Sequence, residues 1–261
     1  MSQLKTMLAK AEDLVSGNHV VFHHVPKCGG SSISRGLRMA YPLSFGRYGT
    51  RPIYGATVSL YPDREQSEID ATLNTFKEEL LLFYMNQGVR CIAGHVGFSD
   101  VAYGHFKDKY RFVTTLREPL GLMTSIYYYD FLRDDTRYHT KISLEEYLET
   151  PRAAQFGRMY ATFFSGVPVP DRLSDRELVE RAKTNLRRFS VVGTVEDMAG
   201  FESSLRKVLN TRIKIGHRNK ARVEASARDG ALTPAIKERI RSLSQLNIEL
   251  YDFARAELFA A

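Results

Sequence analysis

Short runs of apolar, largely β-branched residues, each closed by a turn and followed by a helical pattern, recur along this chain and limit what it can fold into. They fall at 19–25, 90–93, 111–116 and 190–192. Parallel strands buried on both faces read as continuous apolar runs, and strands alternating with helices form βαβ units. The expected fold is therefore α/β, three-layered, with a mainly parallel central sheet flanked by helices. Helical periodicity predicts helices over 33–40, 67–86, 120–133, 143–149, 175–188, 198–209 and 234–259. Residues 41–63 carry Gly46, Gly49, Gly55, Pro42, Pro52 and Pro62 among aromatics and read as a long loop, either functional or a surface insertion. Residues 167–174, with Pro168 and Pro170, read as a second irregular connection.

With 261 residues, 43% hydrophobic and 26% charged, the chain can bury a sizeable core, and one domain over 1–261 is expected. Cys28 and Cys91 lie far apart, and residues 1–17 place Leu4, Met7, Leu8, Ala11, Leu14 and Val15 at the spacing of an amphipathic helix rather than a secretory leader. No stretch approaches the roughly 18 uncharged apolar residues of a membrane span, so a soluble, cytoplasmic protein is the simplest expectation. The net charge of +7 invites a nucleic-acid reading. The basic residues are spread along the chain, however, without an Arg-rich tail. A site for a small polyanion explains the excess equally well, an acidic acceptor would suit it, and no nucleic-acid partner is expected.

The first strand ends at Pro26, and Lys27, Cys28, Gly29, Gly30, Ser31 and Ser32 lead into a helix. Two glycines let the backbone approach a ligand, free amides of a first helical turn favour an anion, and Lys27 adds a point charge. Alternatively the glycines make a tight turn, and Ser31 or Ser32 caps the helix. The nucleotide P-loop G-x-x-x-x-G-K-S/T carries its lysine after the glycines, whereas Lys27 precedes them, so Mg-dependent phosphotransfer is not favoured. A cysteine phosphatase is not favoured either, because Cys28 and Arg35 are one residue too far apart for that phosphate-cradling loop. Cys28 reads as a small packed residue.

The run His24, Val25, Pro26, Lys27, Cys28, Gly29, Gly30, Ser31, Ser32 resembles the H-x-P-K-T/C-G-G-T/S-S/T 5'-phosphosulfate loop of sulfotransferases that use 3'-phosphoadenosine 5'-phosphosulfate (PAPS). It is most similar to their carbohydrate type, the heparan sulfate 2-O-sulfotransferase-like enzymes. A second strand, ending at Leu116, leads into Arg117, Glu118 and Pro119, with Ser125 eight residues after the arginine. A guanidinium at a strand's carboxyl end can hold a phosphate or pair with a carboxylate such as Glu118. The resemblance assigns Arg117 and Ser125 to the 3'-phosphate. It likewise implies that His95, after Gly94, is the catalytic base, that Lys27 stabilises the departing phosphate, and that Cys28, Gly29, Gly30, Ser31 and Ser32 bind the donor. Enzymes of this type can carry a second histidine two positions before the base, where this chain has Ala93, so a role shared by two histidines is not expected. Residues 190–205 resemble the family's strand and helix after the 3'-phosphate motif, with Gly193 allowing a tight passage, Thr194 able to cap, and Glu196 and Asp197 suiting a helix start. His217, Arg218, Asn219 and Lys220 fall where these enzymes place a basic loop over the nucleotide, which implies Arg218 and Lys220 as donor contacts. The expected activity is sulfuryl transfer from PAPS to a hydroxyl or amine of a carbohydrate or small metabolite, with no metal. The rivals are an ATP-dependent phosphotransferase and a nonenzymatic polyanion- or RNA-binding protein.

Overall fold

A computed structural model describes residues 18–132, 139–167, 173–216 and 232–259. Five strands, β1 (His19–His23), β2 (Phe45–Tyr48), β3 (Cys91–Gly94), β4 (Tyr110–Leu116) and β5 (Val191–Thr194), form one all-parallel sheet in the order β2-β3-β1-β4-β5. The described helices are α1 (Gly30–Ala40), α2 (Thr50–Leu60), α3 (Gln66–Asn86), α4 (Asp100–Phe106), α5 (Pro119–Leu132), α6 (Leu144–Tyr147), α7 (Pro151–Gly157), α8 (Met159–Phe164), α9 (Asp175–Leu186), α10 (Met198–Leu209), α11 (Pro234–Leu243) and α12 (Gln245–Glu257).

Side chains alternate across a strand, and both faces of this sheet are covered. Val20 and Phe22 of β1, Ala93 of β3 and Val113 of β4 pack against Ile33 and Leu37 of α1 and Phe201 and Leu205 of α10. Val21, Ile92 and Phe112 turn the other way, into the larger cluster built with α3, α5, α8, α9 and α12. This α/β arrangement matches the layering expected from the apolar runs. Among the described residues, no helix is long and apolar enough to cross a membrane.

Strand order locates the place where a ligand would bind. The chain leaves β1 toward β2 and β3 on one side and leaves β4 toward β5 on the other. The loops after these two neighbouring strands therefore diverge, opening the crevice at which parallel sheets take ligands.

Residues 41–63 are not a loop, which corrects the sequence expectation. They form edge strand β2, paired in parallel with β3, and helix α2. The glycines and prolines misled because each suits its place here. Gly46 lies under Tyr84 and Val89, where a Cβ would come within 3.3 Å of both side chains. Pro52 occupies the first turn of α2, where no amide is needed. The helix expected over 234–259 is also two helices, broken at Ser244. Helices α4, α7 and α8 were not anticipated. Residues 1–17, with their expected amphipathic helix, and most of the connection 167–174 lie outside the described residues.

The α7–α8 junction is tied down by Asn247, a buried residue of α12. Its side-chain amide donates to the Phe156 carbonyl (2.6 Å), and its oxygen accepts from the Tyr160 amide (2.9 Å). These bonds satisfy backbone groups released where one helix stops and the next begins. They also fix Tyr160, which reaches across to the crevice.

His23 is the fully buried polar residue of β1. Its Nδ1 lies 3.1 Å from the Val96 carbonyl, so Nδ1–H is the donor, and the ring stacks on Phe112. Burial lowers its pKa from 6.5 to about 4, against the pull of that carbonyl. Between these values the unfolded chain binds a proton that the folded ring refuses. The stability held by the neutral ring is thus complete above pH 6.5 and is lost as the pH falls toward 4. Urea midpoints measured from pH 7 to pH 4 should fall across this window. His23→Phe, which keeps the stack but cannot titrate, should show a shallower decline.

Candidate functional site

Beyond β1 the backbone turns sharply. Lys27 has φ 63° and Gly29 φ 75°, both left-handed. For lysine that conformation costs about 1 kcal/mol or more and persists only where neighbours enforce it. Here they do: Thr115 Oγ1 donates to the Cys28 carbonyl (2.7 Å), and Arg117 Nη1 lies 3.4 Å from the Lys27 carbonyl. The loop after β1 is thus bolted to the end of β4.

The same bend makes Gly29 the N-cap of α1, with no side-chain cap and no acid in the first turn. Ser31 and Ser32 lie inside that turn and neither caps it, whereas Gly29 does make the tight turn. Amides of an uncapped helix start attract an anion through their partial positive charge. Lys27 stands beside them, its ammonium over the Tyr129 ring of α5 at 4.1 Å from the centroid.

Cys28 is fully buried, with Sγ 3.6 Å from the Tyr160 hydroxyl. Burial pushes the thiol up to about 12, so it stays protonated and packs as expected. The Tyr160 hydroxyl donates to the Arg117 carbonyl (2.6 Å) and accepts from the Arg117 amide (2.8 Å). Arg117 itself is half-buried beside Lys27, and its Nε is buried without a hydrogen-bond partner. Glu118, a possible partner from the sequence, directs its carboxylate to the amides of Leu120 and Gly121 at the start of α5. Ser125 is half-buried on α5, one turn before Tyr129 and so on the helix face that meets Lys27.

His95 follows β3 as His24 follows β1. Because Phe22 pairs with Ala93, two residues further along places His24 opposite His95 on the same face. The two rings stack at 4.0 Å with 28° between planes, and Phe22 stacks behind His24 at 5.6 Å. Position 93 is Ala, as the sequence showed, and the ring beside His95 is that of His24, which comes from the end of β1. His95 Nδ1–H donates to the His24 carbonyl (2.7 Å), which leaves the Nε2 lone pair for chemistry. Burial lowers the His95 pKa to about 4; the His24 carbonyl opposes the shift, and Lys77 and Arg47 add to it. The ring is neutral near pH 7. It borders a cavity of about 200 Å³ lined also by Pro26, by Asn74, Lys77 and Glu78 of α3, and by Phe98 and Phe163.

The structure thus gathers Lys27, Cys28, Gly29, Gly30, Ser31, Ser32, His95 and Arg117 at one sheet edge, with Ser125 on the adjoining helix. Arg218 and Lys220 lie outside the described residues. Asp197, not Thr194, caps α10, its Oδ1 accepting from the Gly200 amide (2.9 Å). Sequence reasoning missed Thr115, Tyr160 and the ring of His24. The hydroxyls carry no local signal, whereas His24 stood within the quoted motif and needed only the strand order. No family model matches the chain, and no curated protein sequence matches it.

Tyr160→Phe removes the hydroxyl that both donates to and accepts from Arg117. With that backbone left unsatisfied, unfolding in urea should show a loss of about 1–3 kcal/mol. An unchanged midpoint would mean that water replaces the hydroxyl.

Proposed function

We propose that the chain is a PAPS-dependent sulfotransferase of P-loop-like fold that moves a sulfuryl group to a hydroxyl or amine of a carbohydrate or small metabolite. The observation carrying this reading is one crevice in which an uncapped helix start, Lys27 and the half-buried Arg117 guanidinium, with its buried unpartnered Nε, converge between diverging loops. That donor set fits a nucleotide with two separate phosphates: one on the amides of Gly30 and Ser31 and on Lys27, the other on Arg117 with Ser125 near it. A nucleoside triphosphate would ask for a lysine after the glycines, which this loop lacks.

In the proposed step the acceptor O–H bond breaks and its proton passes to His95 Nε2. The oxygen attacks sulfur in line, and the bond from sulfur to the phosphate oxygen breaks. The departing 3',5'-bisphosphate keeps the electron pair, and Lys27 with the α1 amides stabilises the charge that gathers there. A resting imidazole with so low a pKa is a weak base, so proton transfer accompanies S–O cleavage instead of preceding it. The cavity beside His95 is the place for the acceptor.

The donor assignment is tested by calorimetry with adenosine 3',5'-bisphosphate and adenosine 5'-monophosphate. Wild type should prefer the bisphosphate. Arg117→Ala should lose about ten- to a hundredfold in affinity for it, the worth of a charge-assisted bond, and bind the monophosphate as before. Equal affinity of wild type for both nucleotides overturns the PAPS reading.

His95→Ala should lower kcat by about 10² to 10⁴ while bisphosphate affinity stays near that of wild type. Wild-type turnover would move the base elsewhere.

A further inference from the structure

We propose that His24 is a positioning residue for proton transfer: its ring is a neutral, flat platform that holds the His95 imidazole in place and joins the base to the donor loop. This inference rests on the sulfotransferase reading for its consequence in turnover, but its geometry stands without it.

Three contacts converge on His24. Its ring stacks on His95 at 4.0 Å, and its carbonyl accepts the His95 Nδ1–H at 2.7 Å, so one residue sets both the plane and the tautomer of the base. Phe22 backs the ring at 5.6 Å, with 13° between planes. On a third side lies the start of α1. A Cβ built on Gly30 would sit 1.8 Å from the His24 ring, so the imidazole lies directly against the backbone whose amides face the anion site. Any side chain at position 30 would displace it.

The platform must stay uncharged to work. An imidazolium here would face His95 directly, with Arg47 of β2 and Lys27 of the donor loop also near. Burial, then His95, then Arg47 and Lys27 hold the His24 pKa well below its ordinary value. His95 meets Lys77 of α3 and Arg47, and Glu78 of α3 lines the same cavity. When His95 takes the acceptor proton at Nε2, the new imidazolium lies against the π-face of a neutral ring, which favours a cation. Nδ1–H remains on the His24 carbonyl throughout, so only one proton moves and His24 exchanges none.

The test compares His24→Ala with His24→Phe. The phenyl ring keeps the flat face and the backbone carbonyl but cannot titrate. Two readouts are taken: the His95 pKa from imidazole NMR in the protein without substrates, and sulfuryl transfer from PAPS with its pH profile. His24→Ala should uncover His95, raise its pKa from about 4 toward 6.5 as water reaches the ring, and lower kcat about tenfold to a hundredfold, the scale of a misplaced catalytic group. His24→Phe should keep the low pKa and retain kcat within about threefold, on the same view that placement is what matters. A His95 pKa unmoved by His24→Ala, or a phenylalanine variant as slow as the alanine one, overturns the platform. If neither wild type nor variant transfers sulfuryl or binds the bisphosphate, the donor reading fails instead, while the NMR titration still decides what His24 does.

Discussion

One hydroxyl, that of Tyr160, ties the loop beyond β1 to the segment that follows β4. It bonds both backbone groups of Arg117 at the end of β4 and packs against the Cys28 thiol beyond β1. Its own position depends on Asn247, which accepts the Tyr160 amide and donates to Phe156. A chain of contacts therefore runs from α12, near the end of the described residues, to a loop near their beginning. Burying such polar groups is tolerable only because each has its partner, and removing one exposes the full desolvation cost of the others. The left-handed Lys27 is held beside this clamp by Thr115 and by the Arg117 guanidinium.

Much of the fold was legible because parallel strands announce themselves. β1 and β4 read as short, largely apolar and β-branched runs, and amphipathic periodicity located α1, α3, α9 and α10 to within a few residues. β2 and α2 were not legible. Residues 41–63 are rich in glycine and proline, whose local preference is for turns, yet packing under Tyr84 and the tolerance of a first helical turn for proline overrode that preference. The break at Ser244 was hidden for a related reason. The apolar pattern continues through it, and what interrupts the helix is a close approach to α7, where the Leu243 carbonyl meets Gly157.

The candidate site divides along the same line. Lys27, the two glycines and Arg117 were found because their spacing relative to strand ends is local information. The pairing of His24 with His95 is information about sheet order, since residues 71 apart meet only when β3 lies beside β1 with Phe22 opposite Ala93. Reading the positions near 95 alone could not reveal that contact. Tyr160 and Thr115 offered no pattern at all, because a single hydroxyl that completes a backbone hydrogen bond is chosen by geometry alone.

Electrostatics connects the two halves of the crevice. Lys27 and Arg117 stand beside the start of α1, Lys77 and Arg47 near His95, and two acids by the loop are committed elsewhere: Glu118 to the α5 amides and Glu196 to the Glu118 amide and the Tyr251 hydroxyl. Burial keeps His95 unprotonated, and Lys77 and Arg47 add to it by penalising the charged form. An anionic donor would offset that potential. On the proposed reading, filling the donor site with a multiply charged nucleotide raises the proton affinity of His95 just as an acceptor becomes worth deprotonating. A neutral platform at His24 preserves this coupling, whereas a second charged group in its place would swamp it.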